Sequence, residues 1–313
     1  MAEYIDDIDF ETYMNITDAG HKVIPASAYA DEVAARIHEY NGPRGDSMPW
    51  NKTHDKIRFR EGEVTIWSGF NGSGKSLVLN QFIIGLICQQ KRVCIASMEM
   101  PVIDTLHRMA KQAASCEKPS REFVSAFFGP MTDGKLWMYD QQGTVNPERM
   151  LAVIRYFAEQ KQGKHFVLDS FMKCGLPEDG PSAFSIQTKF IDKLTSIARD
   201  TGIHIHLVAH SRKGRDEMSE PGKMDVKGSG TITDLVHNLI IIWRNKPKEQ
   251  ARDNGQPVDV QSPDTFLICD KQRNHSWEGR IGLWFNAPSG QYTQDPFNDT
   301  MDMFSIHNYA RPS

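Results

Sequence analysis

The chain has 313 residues, 39% hydrophobic and 24% charged, a soluble globular composition long enough to bury a core without disulfides or structural metal. Its 40 acidic and 36 basic residues leave a formal charge of −4, which excludes a generally basic nucleic-acid coat and confines any contact with DNA to a local patch. The five cysteines (Cys88, Cys94, Cys116, Cys174 and Cys269) never fall at CxxC spacing, which excludes a zinc-finger framework and fits reduced thiols in a cytoplasmic protein.

In chain order, residues 1–24 are acidic and lack a clear period; they read as an arm, not as a signal or transit peptide. Ser27–Tyr40 places Ala30, Val33, Ala34 and Ile37 at helical spacing. Two docking partners fit this amphipathic helix, the chain's own core and a neighbouring subunit. Asn41–Pro49, with Gly42, Pro43, Gly45 and Pro49, is a linker, so residues 1–49 are expected to stand apart from residues 50–296.

From Lys56 onward short apolar runs alternate with helical patterns, the mark of an α/β sheet. Strands are predicted at Val64–Ser68, Arg92–Ser97, Leu136–Tyr139, His165–Ser170, His204–His210, Leu239–Trp243, Thr265–Asp270 and Arg280–Asn286. Helices are predicted at Ser76–Gln90, Val102–Ala114, Pro147–Lys161 and Ile186–Thr201. The last two strands follow one another with no helix between them, which predicts an antiparallel extension at one edge of a mainly parallel sheet. Residues 297–313 read as a tail. The longest apolar run, Phe82–Cys88, is far short of the roughly 20 residues a membrane span needs.

Gly69-Phe70-Asn71-Gly72-Ser73-Gly74-Lys75-Ser76 satisfies GxxxxGK[ST] at every fixed position, between an apolar strand and an apolar helix. Glycines let successive N–H groups turn toward phosphate oxygens, and the helix start adds its positive dipole end there. Lys75 would neutralise the β- and γ-phosphates of ATP, and Ser76 would offer its hydroxyl to magnesium. His165-Phe166-Val167-Leu168-Asp169 is an apolar strand ending in a carboxylate, the arrangement of a second magnesium anchor; helix capping is the other reading of Asp169. Cys94–Met100 is a second strand ending near a carboxylate, Glu99, placed to activate a water unless it is a solvated surface residue. His210 closes a further strand, where a γ-phosphate contact and a structural role both fit.

GFNGSGKS, SMEM, FVLDS, VAHSRKG and KGSGTITDLVHNLIIIWRN, followed by DKQRN, stand in one order. Together they resemble the motor domain of DnaB-like replicative helicases, with phage primase–helicases and the mitochondrial replicative helicase nearest in flavour, over about Lys56 to Thr293. The resemblance implies a RecA-like P-loop NTPase core and a ring homo-oligomer, six subunits by family habit, moving 5′ to 3′ on single-stranded DNA and unwinding duplex. It implies Glu99 as catalytic base, Asp169 as magnesium-anchoring aspartate and His210 as γ-phosphate sensor. Lys271 and Arg273 match the basic pair that completes a neighbour's ATP site, Arg273 as the finger. Arg212, Lys213 and Arg215 fall in the loop after the sensor that holds DNA backbone, and Lys227 and Gly228 match the segment closing it.

The family's N-terminal primase, zinc or helical collar domain has no counterpart here. The chain therefore reads either as a motor domain or as a minimal helicase that recruits a separate primase. Asp216, Glu217 and Glu220 dilute the basic loop. Two other readings stay open: a RecA/RadA-type recombinase or loader that binds DNA without separating strands, and a regulatory ATPase that does not translocate.

Overall fold

The computed structural model describes residues 25–38, 44–177, 180, 182–211, 216–227, 230–297 and 299–302. Helix α1 (Ala30–His38), entered through one 3-10 turn, buries none of its residues. Its apolar stripe of Tyr29, Val33 and Ile37 is 46%, 49% and 68% exposed. Within the single chain, then, this helix does not dock on the core.

The remaining elements follow in order: β1 (Val64–Ser68), α2 (Lys75–Cys88), β2 (Val93–Ser97), α3 (Val102–Ala114), α4 (Arg121–Ala126), β3 (Leu136–Tyr139), α5 (Pro147–Gln160) and β4 (His165–Asp169). Then come α6 (Ala183–Thr201), β5 (His204–Val208), α7 (Gly230–Leu235), β6 (Asn238–Arg244), α8 (Lys246–Asp253), β7 (Thr265–Gln272), β8 (Gly279–Asn286) and β9 (Gln291–Thr293). All eight predicted strands form. The fifth stops at Val208, two residues short of His210, although Ala209 and Ser211 still donate to the carbonyls of Trp67 and Gly69 at 2.8 and 3.0 Å. Helices α4, α7 and α8 and strand β9 have no counterpart among the predicted elements; each is too short to show a period.

Local chemistry explains the boundaries. Asn146 caps α5 by accepting from the amides of Glu148 and Arg149, with Pro147 in the first turn. Asn245 caps α8 in the same way through the amide of Lys248. Gly202 ends α6 at a φ of 74°, in the left-handed region.

The nine strands form one sheet in the order β3-β2-β4-β5-β1-β6-β7-β8-β9. Six are parallel, and β7, β8 and β9 extend one edge antiparallel. Helices cover both faces, so the central strands are apolar throughout: β6 buries every residue but Arg244. Successive residues serve opposite layers. Ile66 packs with α5 and α6, while Trp67 packs with Phe82 of α2 and Met109 of α3. Among the described residues, no helix is long and apolar enough to cross a membrane.

On the Trp67 side the sheet buries three stacked histidines. Trp67 Nε1 donates to Nδ1 of His206 at 3.1 Å, His206 Nε2 lies 3.0 Å from Nδ1 of His165, and His165 Nε2 lies 2.9 Å from a carboxylate oxygen of Asp46. His204 stacks on His206 at 4.5 Å and is held by Thr65 and the carbonyl of Arg60. This chain of bonds ties the segment after α1 into the middle of the sheet.

Candidate active site

Because β1, β2, β4 and β5 are parallel and in register, their carboxyl ends reach the same edge, where an open α/β sheet binds ligands. The loop after β1 is the phosphate cradle. Gly69 has a φ of 153°, and a Cβ there would lie 2.3 Å from the carbonyl oxygen of Ile242 and 2.7 Å from Ser73 Oγ. Gly74, at a φ of 90°, sits just before the first residue of α2. No other residue type fits either position without strain.

A cleft of about 540 Å3 opens over this loop, lined by Asn71–Leu77, Glu99, Arg108, Asp169, His210, Ser211 and Lys227. Lys75 is buried and donates to the carbonyls of Gly69 and Phe70 at 2.9 and 2.8 Å. Burial pulls its pKa down to about 8 against the opposing charges of Asp169 and Glu99. An amine held only by neutral carbonyls is ready to exchange them for an anion. Ser73 Oγ is buried in the same loop without a hydrogen-bond partner.

Ser76 Oγ donates to Asp169 Oδ2 at 3.4 Å. Burial, reinforced by the charge of Glu99, pushes Asp169 up to about 6. A hydroxyl and a carboxylate side by side, the latter short of positive charge, are the donor set of a hard divalent cation, so these residues fit magnesium. Glu99 lies across the cleft mouth. Its Oε1 accepts from the hydroxyl of Ser170 and from Nε2 of His210, the latter at 3.4 Å. The His210 hydrogen bond, with Ser170 adding to it, draws Glu99 down to about 2 against the cost of burial. Two neighbouring carboxylates thus have widely separated proton affinities.

His210 also accepts, through its carbonyl, a 2.7 Å hydrogen bond from the amide of Lys227, beside the Ser211–Val226 bridge. The loop between them is therefore closed at its base next to Glu99. Arg212, Lys213, Arg215 and Gly228 lie outside the described residues. Lys227, expected at DNA, lines the nucleotide cleft. On the return limb the acidic residues are tied to the sheet: Glu220 pairs with Arg280 at 2.8 Å, and the carbonyl of Glu217 accepts from Trp243 at 3.1 Å.

Lys271 and Arg273 do not join this cleft. The amide of Arg273 bonds the carbonyl of His237, and the amide of His237 bonds that of Val64, so Arg273 is level with the start of β1. At about 3.3 Å per residue, Gly69 lies roughly 16 Å further along the strand direction. Lys271 directs its amine at the carbonyls of Thr233, Asp234 and Val236, each at 2.8 Å, and so caps the end of α7. Arg273 adds one bond to the carbonyl of Asp234 at 2.9 Å and is otherwise exposed. Trp277 and His275 cover the hairpin, joined by a 3.1 Å bond from the amide of Trp277.

Three cleft residues were not read from the sequence. Ser170, next to Asp169, bonds Glu99. Arg244 reaches the carbonyl of Gly72 at 3.5 Å from the end of β6. Arg108 projects from α3 into the cleft. The start of α3 just after Glu99 is the signal that could have found Arg108, because about two helical turns bring a basic residue back over the cradle.

The family model described as "AAA domain" matches residues 54–216. Among solved structures, a DnaB-like ATPase domain superposes with a TM-score of 0.74 at 13% identity, covering 87% of this chain and 99% of that one. The structure of a DnaB-like replicative helicase and its interactions with primase gives 0.70 at 13% identity, covering 86% of this chain and 68% of that one. At this identity the likeness is one of fold: the mainly parallel sheet with its antiparallel edge is that of DnaB-like ATPase domains.

Proposed function

This chain belongs to the AAA domain family, and on that premise we propose that it is an ATP hydrolase working as a ring-forming, 5′-to-3′ DNA helicase motor. One observation carries the reading. Lys75, Ser76, Asp169, Glu99 and His210 converge on one cleft, while Lys271 and Arg273 stand at the opposite end of the strands, beyond reach of it.

ATP would enter with its phosphates over the Gly69–Ser76 amides, and Lys75 would exchange its two carbonyls for phosphate oxygens. Magnesium, when bound at Ser76 and Asp169, supplies charge neutralisation of the β- and γ-phosphates. Glu99, ionised throughout the working pH range, accepts a hydrogen bond from the attacking water and orients it. Its low basicity makes it an aligner of water more than a store for the proton. Arg108 would add charge at the mouth of the cleft. His210 links Glu99 to the base of the loop carrying Arg212, Lys213 and Arg215, the basic residues proposed to hold the DNA backbone.

Ring assembly has two supports. Arg273 has nothing to do at its own cradle, and the exposed stripe of α1 is an apolar face that a neighbouring subunit would cover. A separate primase remains a proposed partner, on the likeness to a DnaB-like helicase.

The test is ATP turnover with and without single-stranded DNA, alongside native mass and strand separation. We expect a ring whose hydrolysis rises with DNA and which unwinds a duplex with a free 5′ strand. A ring stimulated by DNA that separates no strands would overturn the helicase in favour of a recombinase or loader. Turnover indifferent to DNA would leave a regulatory ATPase.

A further inference from the structure

We infer that Tyr292 is a positioning residue for the phosphate cradle, and that through it the edge strand β9 sets nucleotide affinity. Gly74 is the last residue of the cradle before α2 and has no side chain to fix its left-handed geometry. Tyr292, buried at 3% exposure, stands directly beneath it: a Cβ on Gly74 would lie 2.2 Å from the phenol oxygen and 3.3 Å from the ring carbon bearing it. The ring is held from both ends. Its hydroxyl pairs with the side chain of Thr265, and burial pushes that phenol up to about 12, so the prop stays neutral.

The backbone of Tyr292 is gripped by the helix that the cradle begins. Its amide donates to Gln81 Oε1 at 2.7 Å, and its carbonyl accepts from Gln81 Nε2 at 3.1 Å and from Trp50 Nε1 at 2.8 Å. Gln81 lies about two turns into α2. One helix therefore both starts the cradle and clamps the residue that supports it. The neighbouring residues extend the bracket: Gln291 donates to the carbonyls of Gln112 and Met301 at 2.6 and 2.7 Å, and Gln112 donates to those of Leu77 and Gly290 at 2.9 and 2.7 Å. Backbone amides hold a phosphate only while they are aimed at it, and a buried prop preserves that aim before the ligand arrives. Such preorganisation acts on binding and leaves the chemical step alone.

The inference rests on reading the cleft as a nucleotide site, and the experiment separates the two. Binding of Mg-ATP by calorimetry and steady-state turnover are measured on the full chain, on Lys75→Ala, and on Tyr292→Phe and Tyr292→Leu. Tyr292→Phe, which keeps the ring, should bind on the order of fivefold more weakly, with kcat at saturating ATP within about twofold and a melting temperature within about two degrees of the parent. Tyr292→Leu should bind more weakly still. Gly74→Ala should bind almost nothing in the parent and recover in part in the Tyr292→Phe background, where its methyl meets a carbon and no oxygen. Unchanged affinity in Tyr292→Phe, a loss confined to kcat, or no recovery of Gly74→Ala would overturn the inference. A parent chain that binds Mg-ATP no better than Lys75→Ala would overturn the nucleotide reading itself, and this inference with it.

Discussion

His210 stands between Glu99 and Lys227: its Nε2 is 3.4 Å from the Glu99 carboxylate, and its carbonyl takes a 2.7 Å hydrogen bond from the amide of Lys227. One residue therefore touches both the group that orients water and the closure of the loop that follows. Glu99→Gln should keep ATP bound, because the cradle is untouched, and slow hydrolysis by roughly 10²–10⁴-fold, because an amide no longer aligns water as a carboxylate does. Nucleotide retention beside single-turnover rates checks this. Fast turnover in that variant would move the water-orienting role elsewhere.

The loop gives a second expectation. If Arg212, Lys213 and Arg215 hold phosphates, replacing all three with Ala should weaken single-strand binding and flatten its dependence on salt. Basal ATP turnover should change less than the DNA-stimulated rate, since the base of the loop at His210 is left intact. An unchanged salt slope would return the three side chains to a solvated surface.

The cleft also sets a pH window. Lys75 must be charged to hold phosphate and is drawn down to about 8 by burial, so ATP affinity should fall as pH rises through that value. Asp169 must be ionised to hold magnesium and is pushed up to about 6, so metal-dependent turnover should fall as pH drops through that value. Each limb approaches about tenfold per pH unit outside the window. Turnover level between pH 5 and 9 would show that these groups do not control it.

Much of this fold was open to reading because its central strands are apolar on both faces and each is bounded by turn residues. The cradle was legible for a different reason: GxxxxGK[ST] is a local geometry, complete within eight residues. What escaped was set by distant partners. Nothing near Lys271 announces that it caps α7, since the carbonyls it bonds belong to Thr233, Asp234 and Val236. Tyr292 lies on a three-residue strand that exists because Gln81, over two hundred positions earlier, pairs with its backbone. The strand pattern of His165, His204 and His206 was visible, but their stacking follows only from β4 and β5 being neighbours.

Those histidines give a stability prediction. With Trp67 donating to His206, His206 to His165 and His165 to Asp46, every ring proton is assigned with all rings neutral. Burial holds His204 and His206 well below their usual value and His165 below it, while Asp46, though burial raises it, is kept low by His165 and Lys91. Their folded pKa values lie under the unfolded value near 6.5, so this stability is full above that pH and is lost as pH falls below it. Each histidine contributes up to about 1.4 kcal/mol per pH unit. Asp169, raised to about 6, works in the opposite sense but is a single group. Urea unfolding should therefore give a flat stability from pH 8 to 7 and a steep fall from 6.5 to 5. A flat profile across the whole range would mean the chain tolerates the added protons.

Arg273 and Lys271 share a strand end yet should respond differently to removal. Lys271 satisfies three carbonyls, so Lys271→Ala should cost about 1–3 kcal/mol of fold stability as those acceptors lose their partner. Arg273 makes one exposed bond to the carbonyl of Asp234, so Arg273→Ala should leave the melting curve nearly unchanged. If its guanidinium completes a neighbour's cleft, that variant binds ATP normally and hydrolyses it on the order of 10³-fold more slowly, the range in which such fingers act. Adding Lys75→Ala subunits should then restore part of the activity, since they contribute a finger where the Arg273→Ala subunit contributes an intact cradle. Only the mixed interface is competent, so the restored rate must rise with total protein concentration. A finger acting within one chain predicts no rescue at any concentration, because neither variant holds both parts. Full activity in Arg273→Ala, or no rescue in rings shown by native mass to contain both subunits, would count against the trans arrangement. The roughly 16 Å along the strand direction between Arg273 and its own Gly69 would then separate it from any role in hydrolysis at all.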